Sequence, residues 1–526
     1  MCDKQQFVQL RMTEKHISFF GTYPFSESYW KECSNLEMVF QKTQLPCLTD
    51  VVREVQNSEQ TQELRLPDGY PDVGKVLCAW GQTILRGKEW RSDSILVSGG
   101  MLMWVLYAPE DGSQPRVLDG WLPFQMRWQL PGDCPEGNIR ISALTRFADA
   151  RSVSPRKLML RGGIGILAEL WAPTQLEFWQ CGSVPEGVEL LRRRYPLRLP
   201  REAGEKSFLL EEELTPALPP EGVLYYTLRP EIGEQKVLAG KIAFRGSANL
   251  HVLLQCQDGK LLAQDFQLPF SQFAELGERY GPEAQVDVTC AVTNLELERQ
   301  EGGGLHVRCS IAAQYLVDDV TTLEAVADAY TPGVPLSLET QRLEAPAILE
   351  KRLETVAAEV NLPGDMGRAE DVSFLPDHPR QYREDGAVCL EIPGTIQVLS
   401  RDEQGSLRAQ SARWEGKLRL PVGEDVRLTV HPLTPSSPQS TPGGCRGELP
   451  LQLTATGGQG ITMVTALEQT EAAPDPQRPS LILRRAGGET LWDLAKKSGS
   501  TVAAIRSANK LQEEPKSGQI LLIPVV

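Results

Sequence analysis

The chain has 526 residues, of which 41% are hydrophobic and 23% charged, and a formal charge of −15, a balance expected of a soluble globular protein of about three to five domains. No apolar run approaches the roughly twenty residues of a bilayer-spanning helix, and Met1–Gln6 lacks the basic start and apolar core of a secretory signal, so the protein is expected to stay where it is made. The acidic surplus argues against nucleic acid as the main partner. Eleven cysteines, an odd number without a Cys-x-x-Cys pair, point to a reducing compartment.

Residues 1–40 carry little pattern. Three β-rich units are then expected, over residues 41–180, 186–325 and 340–470, because the same landmarks recur. Val105-Leu106-Tyr107, Val252-Leu253-Leu254 and Val398-Leu399-Ser400 each run the same distance to a glycine, Gly112, Gly259 and Gly405. A strand followed by an acidic Asp/Gly turn is a hairpin signal. Leu122-Pro123-Phe124 matches Leu268-Pro269-Phe270, a landmark from which the third copy drifts. Leu158, Leu160, Arg161 and Ile164 then align with Leu305, Val307, Arg308 and Ile311, and Leu449 and Leu451 are a weaker third match.

In the second unit Val286, Val288, Cys290 and Val292 alternate with other residues, Gly302-Gly303-Gly304 intervenes, and Leu305, Val307, Cys309 and Ile311 alternate again. Period two means an antiparallel hairpin with one buried face. Each unit opens on a run of mixed acidic and apolar residues, as in Lys206–Pro216. The equivalent run, Leu349–Pro363, fits a helical face nearly as well, and the strand reading is preferred. Pro432–Gly444, rich in Ser, Thr, Pro and Gly, reads as a loop. Residues 471–479 form a proline-rich linker that is expected to hold the tail away from the body.

The tail, residues 480–526, is the most sharply patterned segment. Thr490 is placed to cap a helix starting at Leu491, with Asp493 as capping-box partner. Leu491, Leu494 and Ala495 share one helical face; Ser500 or Thr501 caps a second helix whose apolar positions are Val502, Ile505 and Ala508. Strands at Ile482–Arg485 and Ile520–Ile523 flank the pair. Seven basic against four acidic side chains give the tail a charge of +3 and leave −18 on the rest. This contrast suits docking on an acidic protein surface or an anionic polymer, or is simply a solvated face.

With Gly488-Glu489-Thr490-Leu491-Trp492-Asp493-Leu494-Ala495, Asn509 and Gly518-Gln519-Ile520-Leu521-Leu522-Ile523-Pro524, the tail closely resembles the LysM family, departing at Glu489, where the family usually has Asp. Tandem β units followed by a proline linker and a LysM tail resemble the SipL-type spore coat morphogenetic proteins, whose bodies carry SPOCS domains. The fold expected is mainly β: tandem antiparallel, sandwich-like SPOCS-type units plus a small strand-helix-helix-strand LysM domain.

The resemblance implies a non-enzymatic scaffold in the mother-cell cytoplasm at the forespore surface, whose tail binds a SpoIVA-type coat ATPase to build the basement layer of the coat. Trp492 is the expected anchor, as aromatic hot spots are, unless it belongs to the LysM core. Ile482 and Leu511 would extend the apolar patch, with Lys496 and Lys510 at its rim. The alternative is peptidoglycan binding through N-acetylglucosamine units. It would use the groove between Gly488, Glu489 and Thr490 on one side and Asn509, Lys510 and Leu511 on the other.

Catalytic and cofactor motifs are decoys. Gly69–Lys75 has the spacing of a phosphate-binding loop, but Val76 replaces the Mg²⁺-holding hydroxyl, Pro71 removes an amide donor and Asp72 would repel phosphate. Gly163–Ala168 mimics a dinucleotide fingerprint inside an expected hairpin. His16, His251, His306, His378 and His431 show no metal-ligand spacing, so no metal, cofactor or catalytic set is expected.

Overall fold

The structure, a computed structural model, describes residues 39–526 apart from 133, 185–186, 334, 362–367, 422, 424–425, 434, 436–438, 442–443 and 470–478. The unpatterned first 38 residues and most of the proline-rich linker therefore lie outside the described residues, as does part of the Pro432–Gly444 loop. The body is mainly antiparallel β, and among the described residues no helix is long and apolar enough to cross a membrane.

One topology occurs three times. In the first set, β1 (Val39–Arg65) is followed by a meander of β2 (Val73–Arg91), β3 (Ser94–Pro109) and β4 (Arg116–Gln129). A hairpin of β5 (Asn138–Ser154) and β6 (Lys157–Ser183) follows, and β6 pairs back onto β1. The second set repeats this with β7 (Glu189–Leu214), the meander β8 (Pro220–Leu238), β9 (Lys241–Cys256) and β10 (Leu261–Glu275), and the pair β11 (Gln285–Arg299) and β12 (Leu305–Tyr330).

The third set begins with β13 (Leu336–Asn361), so the run that also fits a helix is strand over residues 349–361, its last two residues lying outside the described ones. Here two strands are interrupted. β14 (Arg368–Pro376) and β15 (Arg380–Glu384) share one side of β16 (Ala387–Arg401), whose other side takes β17 (Leu407–Leu420). Likewise β18 (Arg427–Pro432) and β19 (Gln439–Thr441) both pair with β20 (Gly444–Gln469).

The recurring motifs have a packing reason. Gly112, Gly259 and Gly405 each take positive φ (71°, 67° and 83°) in the turn that closes the second hairpin of a meander, a conformation open to glycine at no steric cost. The Leu-Pro-Phe landmark places Phe124 opposite Gly99 and Phe270 opposite Gly246. A Cβ on either glycine would lie 2.2 Å from the Ile84 carbonyl oxygen or 2.0 Å from that of Glu231, with the Phe ring 2.8 or 2.9 Å away. Glycine on the central strand lets the ring lie flat against the backbone, an aromatic rescue of an otherwise bare position. The third set reaches the same contact by another route, Trp414 facing Gly394, which is why the Leu-Pro-Phe motif is lost there.

The long strands serve two cores. Leu158, Leu160, Ile164 and Leu170 of β6 fill the core of the first set, while Leu176 and Phe178 farther along enter a cluster with Leu197, Leu199, Leu323 and Ala325 of the second and Ala345, Ile461 and Met463 of the third. Phe40, Val326 and Val464 close the far end of this junction. A second junction joins Trp80, Trp104 and Leu106 to Tyr225, Leu253 and Leu399, with Trp80 stacked on Tyr225 at 4.3 Å.

Buried charges also cross between the sets. Arg140 of β5 donates to Asp287 of β11 (2.9 Å), whose other oxygen accepts from Gln452 of β20 (2.5 Å), and Arg140 lies 3.6 Å from Glu169. Burial alone would raise the Asp287 pKa, but the charges of Arg140, Lys351 and His431 hold it at about 2. Asp371 of β14 accepts from the Tyr225 hydroxyl (2.6 Å) and pairs with His251 of β9 (3.0 Å), whose second ring nitrogen meets Asp265 (2.6 Å). His378, in the break between β14 and β15, is buried with its Nε2 3.2 Å from the Ser142 carbonyl of the first set.

These contacts predict that the three sets unfold together. Ile461→Ala is expected to cost about 2–5 kcal/mol and to lower one common transition in calorimetry; a separate transition for the third set would contradict this. Two histidines contribute pH dependence of opposite sign. For His251, burial is outweighed by Asp265 and Asp371, which raise its pKa to about 9, so its contribution is complete below about 6.5 and lost as pH rises through 9. For His378, burial lowers the pKa to about 4, so its contribution is complete above about 6.5 and lost as pH falls toward 4. Each limb is on the order of 3 kcal/mol. Denaturant titrations across pH 4–9 are expected to show His378→Asn flattening the acid limb and His251→Asn the alkaline one.

Candidate partner-binding surface

The tail folds as β21 (Leu481–Arg485), α1 (Leu491–Ser498), α2 (Val502–Asn509) and β22 (Ile520–Pro524), with β21 and β22 antiparallel. Thr490 caps α1 by accepting from the Asp493 amide, and the Asp493 carboxylate reciprocates at the Thr490 amide, the capping box read from the sequence. The hydrogen bond from the Thr490 hydroxyl (2.7 Å) holds the Asp493 carboxyl below the usual range. Gly499 ends α1 in the left-handed region at φ 63°, and of the two candidate caps for α2 it is Thr501 that accepts from Ala504.

Leu491, Leu494, Ala495, Ile505, Leu521 and Ile523 form the small core. Ala508, aligned in sequence with the apolar face of α2, is exposed. One further member of this core comes from outside the tail. Tyr330, the last residue of β12, is 5% exposed, packs into the cluster and donates its hydroxyl to the Ser500 carbonyl at 3.0 Å. The tail is therefore docked on the second set, not held away from the body.

Around this seam lie two of the five residues expected to bind a partner. Trp492 is half-buried; its indole N–H donates to Asp328 Oδ2 (2.8 Å) and its ring meets Tyr330 edge-on at 4.8 Å and 75°. Lys496, one helical turn on, places Nζ 2.7 and 2.8 Å from the two oxygens of Asp328. Ile482 and Leu511 are half-buried against the tail's own core, and Lys510 is exposed at the left-handed end of α2. Trp492 is thus neither a free anchor nor simply LysM core.

The groove residues separate by role. Gly488, Thr490 and Lys510 are exposed, and Glu489 is tied to Arg484 (2.8 Å) and Lys497 (3.4 Å). Asn509 clamps β22 to α2: its amide donates to the carbonyls of Ile505 and Leu522, and its carbonyl accepts from the Leu522 amide at 2.8 Å. Its donors and acceptor are committed to the fold, leaving Gly488, Thr490 and Lys510 as the open rim.

Asp328 and Tyr330 were missed by sequence reasoning. They lie more than 160 residues from their tail contacts, and nothing in the local pattern marks the end of a strand as a docking site. Elsewhere His251 and His306 sit on strands beside carboxylates, and among the described residues no group of His, Cys, Asp or Glu is arranged to hold a metal ion. The nine described cysteines are free thiols. Gly163–Ala168 lies within β6, as tight strand packing requires, and Gly69 occupies a turn before β2.

Family models match two parts of the chain: a LysM domain over residues 487–524 and a SipL, SPOCS domain over residues 220–299. Neither the curated proteins nor the solved structures contain a match. The SPOCS match begins with β8 and ends with β11, so it covers the meander and the first strand of the following hairpin. Both matched domains are of binding or scaffold type. With a SPOCS domain followed by a C-terminal LysM domain of the peptidoglycan-binding class, the chain matches the SipL-type layout and is sporulation-related.

Proposed function

We propose that this protein is a non-enzymatic scaffold of the endospore coat, acting in the mother cell at the forespore surface. Its three β sets, one SPOCS-like unit each, form the platform, and the LysM tail binds a SpoIVA-type coat ATPase to build the basement layer. The supporting observation is the chemistry of the Trp492–Lys496 face, which is that of a protein contact: an indole N–H and an ammonium on one carboxylate, beside an aromatic ring. Ile482, Leu511 and Lys510 are the remaining partner-binding residues of this reading.

Peptidoglycan binding is the second reading, favoured by the LysM match and by the exposure of Gly488, Thr490 and Lys510. In it Glu489, Asn509 and Leu511 shape the groove. The two readings share Lys510 and Leu511 and separate at Trp492 and Lys496, which lie on α1 and belong to the protein-binding reading alone.

Co-purification with the SpoIVA-type ATPase is expected to retain the full chain and to lose a chain ending at residue 480. Trp492→Ala is expected to weaken retention about thirtyfold, about 2 kcal/mol on the scale of aromatic hot spots, with circular dichroism confirming the fold. Sedimentation with purified peptidoglycan is the parallel assay. Retention by peptidoglycan alone, reduced by Lys510→Glu and indifferent to Trp492→Ala, would replace the scaffold reading with a wall- or cortex-binding one.

A further inference from the structure

The surface of α1 around Trp492 and Lys496 is occupied in the free chain by the protein's own body, and the way it is filled specifies what it recognises. Asp328 and Tyr330 stand two apart on β12 and so share a face, just beyond a register shift between Val326 and Asp328. Asp328 takes the indole N–H of Trp492 and the ammonium of Lys496; Tyr330 takes the edge of the indole and the Ser500 carbonyl. Every polar group in this quartet finds a partner of matching chemistry. The charge balance acts in the same sense, with +3 on the tail and −18 on the rest of the chain. The linker makes the contact intramolecular, so it forms at the high effective concentration of a short tether.

We propose that this LysM face is a recognition surface for an aspartate two residues before an aromatic ring. The Asp328-Ala329-Tyr330 segment fills it in the free chain, and a protein partner engages the tail by presenting the same pair and displacing the body. This rests on the reading that the tail binds a protein. The docked state is then a latch: the partner's apparent affinity is reduced by the fraction of chains that are closed. Contacts of the groove rim are not part of the latch, so glycan binding through Gly488, Thr490 and Lys510 is independent of it.

The test uses the full-length chain and three variants, Asp328→Lys, Lys496→Asp and the two together. Small-angle scattering reads the latch without any partner. Asp328→Lys is expected to increase the radius of gyration as the tail leaves the body, and the double variant to restore the wild-type curve by re-forming the ion pair in reverse. A defect confined to β12 would not be repaired from the tail. Binding of the SpoIVA-type ATPase is expected to tighten about three- to tenfold in Asp328→Lys and to be lost in the double variant, whose tail offers the wrong charge. Sedimentation with peptidoglycan is expected to be equal for all four.

An unchanged scattering curve for Asp328→Lys, or an opened chain that binds the ATPase no tighter than the wild type does, overturns the proposal. If no variant binds the ATPase at all, the choice of partner has failed, and the scattering arm with its charge reversal alone decides whether the body fills the face.

Discussion

Everything in the body depends on strands too long for a single core. β1, β6, β7, β12, β13 and β20 each run 26 or 27 residues, and each pairs with the other long strand of its own set. At about 3.3 Å per residue such a strand outruns the core of one set. Its remaining length is apolar on one face and has to be covered. The three ribbons cover one another, in the cluster holding Phe178, Leu199, Leu323, Ile461 and Met463. Neighbouring sets are therefore joined by continuous strands with two cores along their length, and the connections between them, near residues 183–189 and 330–336, fall at the same end of the ribbons.

The position of the LysM domain follows from that geometry. β12 ends where the ribbons end, so its last residues, Asp328 to Tyr330, project from the shared core, and Tyr330 belongs to the LysM core as much as to its own strand. A body that presents its strand ends together offers a natural seat for a small basic module. The buried pair Arg140–Asp287 and the part-buried pair His251–Asp371 act at the opposite level, fixing how the sets face one another. Removing one partner of such a pair leaves a charge unpaired in the interior, which costs more than the pair itself contributes.

The parts of this architecture that rest on local pattern were legible in the sequence. Alternation at Val286–Val292 and Leu305–Ile311, the Asp/Gly turns and the Thr490–Asp493 capping box each declare themselves within a dozen residues, and they suffice for a mainly β body with an α+β tail. Other features were not legible, because their terms are distant. Nothing near Asp328 announces Trp492, and nothing near Arg140 announces Asp287 or Gln452. The third meander was read from its Val398–Gly405 hairpin, but its counterpart of the Leu-Pro-Phe contact was not, since the ring is kept opposite Gly394 while the motif that carries it changes to Trp414. Asn509 reads from sequence as a groove residue, yet its amide is spent on Leu522. That also follows from a contact thirteen residues away.

Protein binding by α1 of the LysM domain is decided by amide hydrogen exchange on the full chain, alone and with a SpoIVA-type ATPase. The partner is expected to protect residues 491–498 while exchange at residues 326–330 increases as the body is displaced. Protection confined to residues 488–490 and 509–511, with 326–330 unchanged, would contradict it.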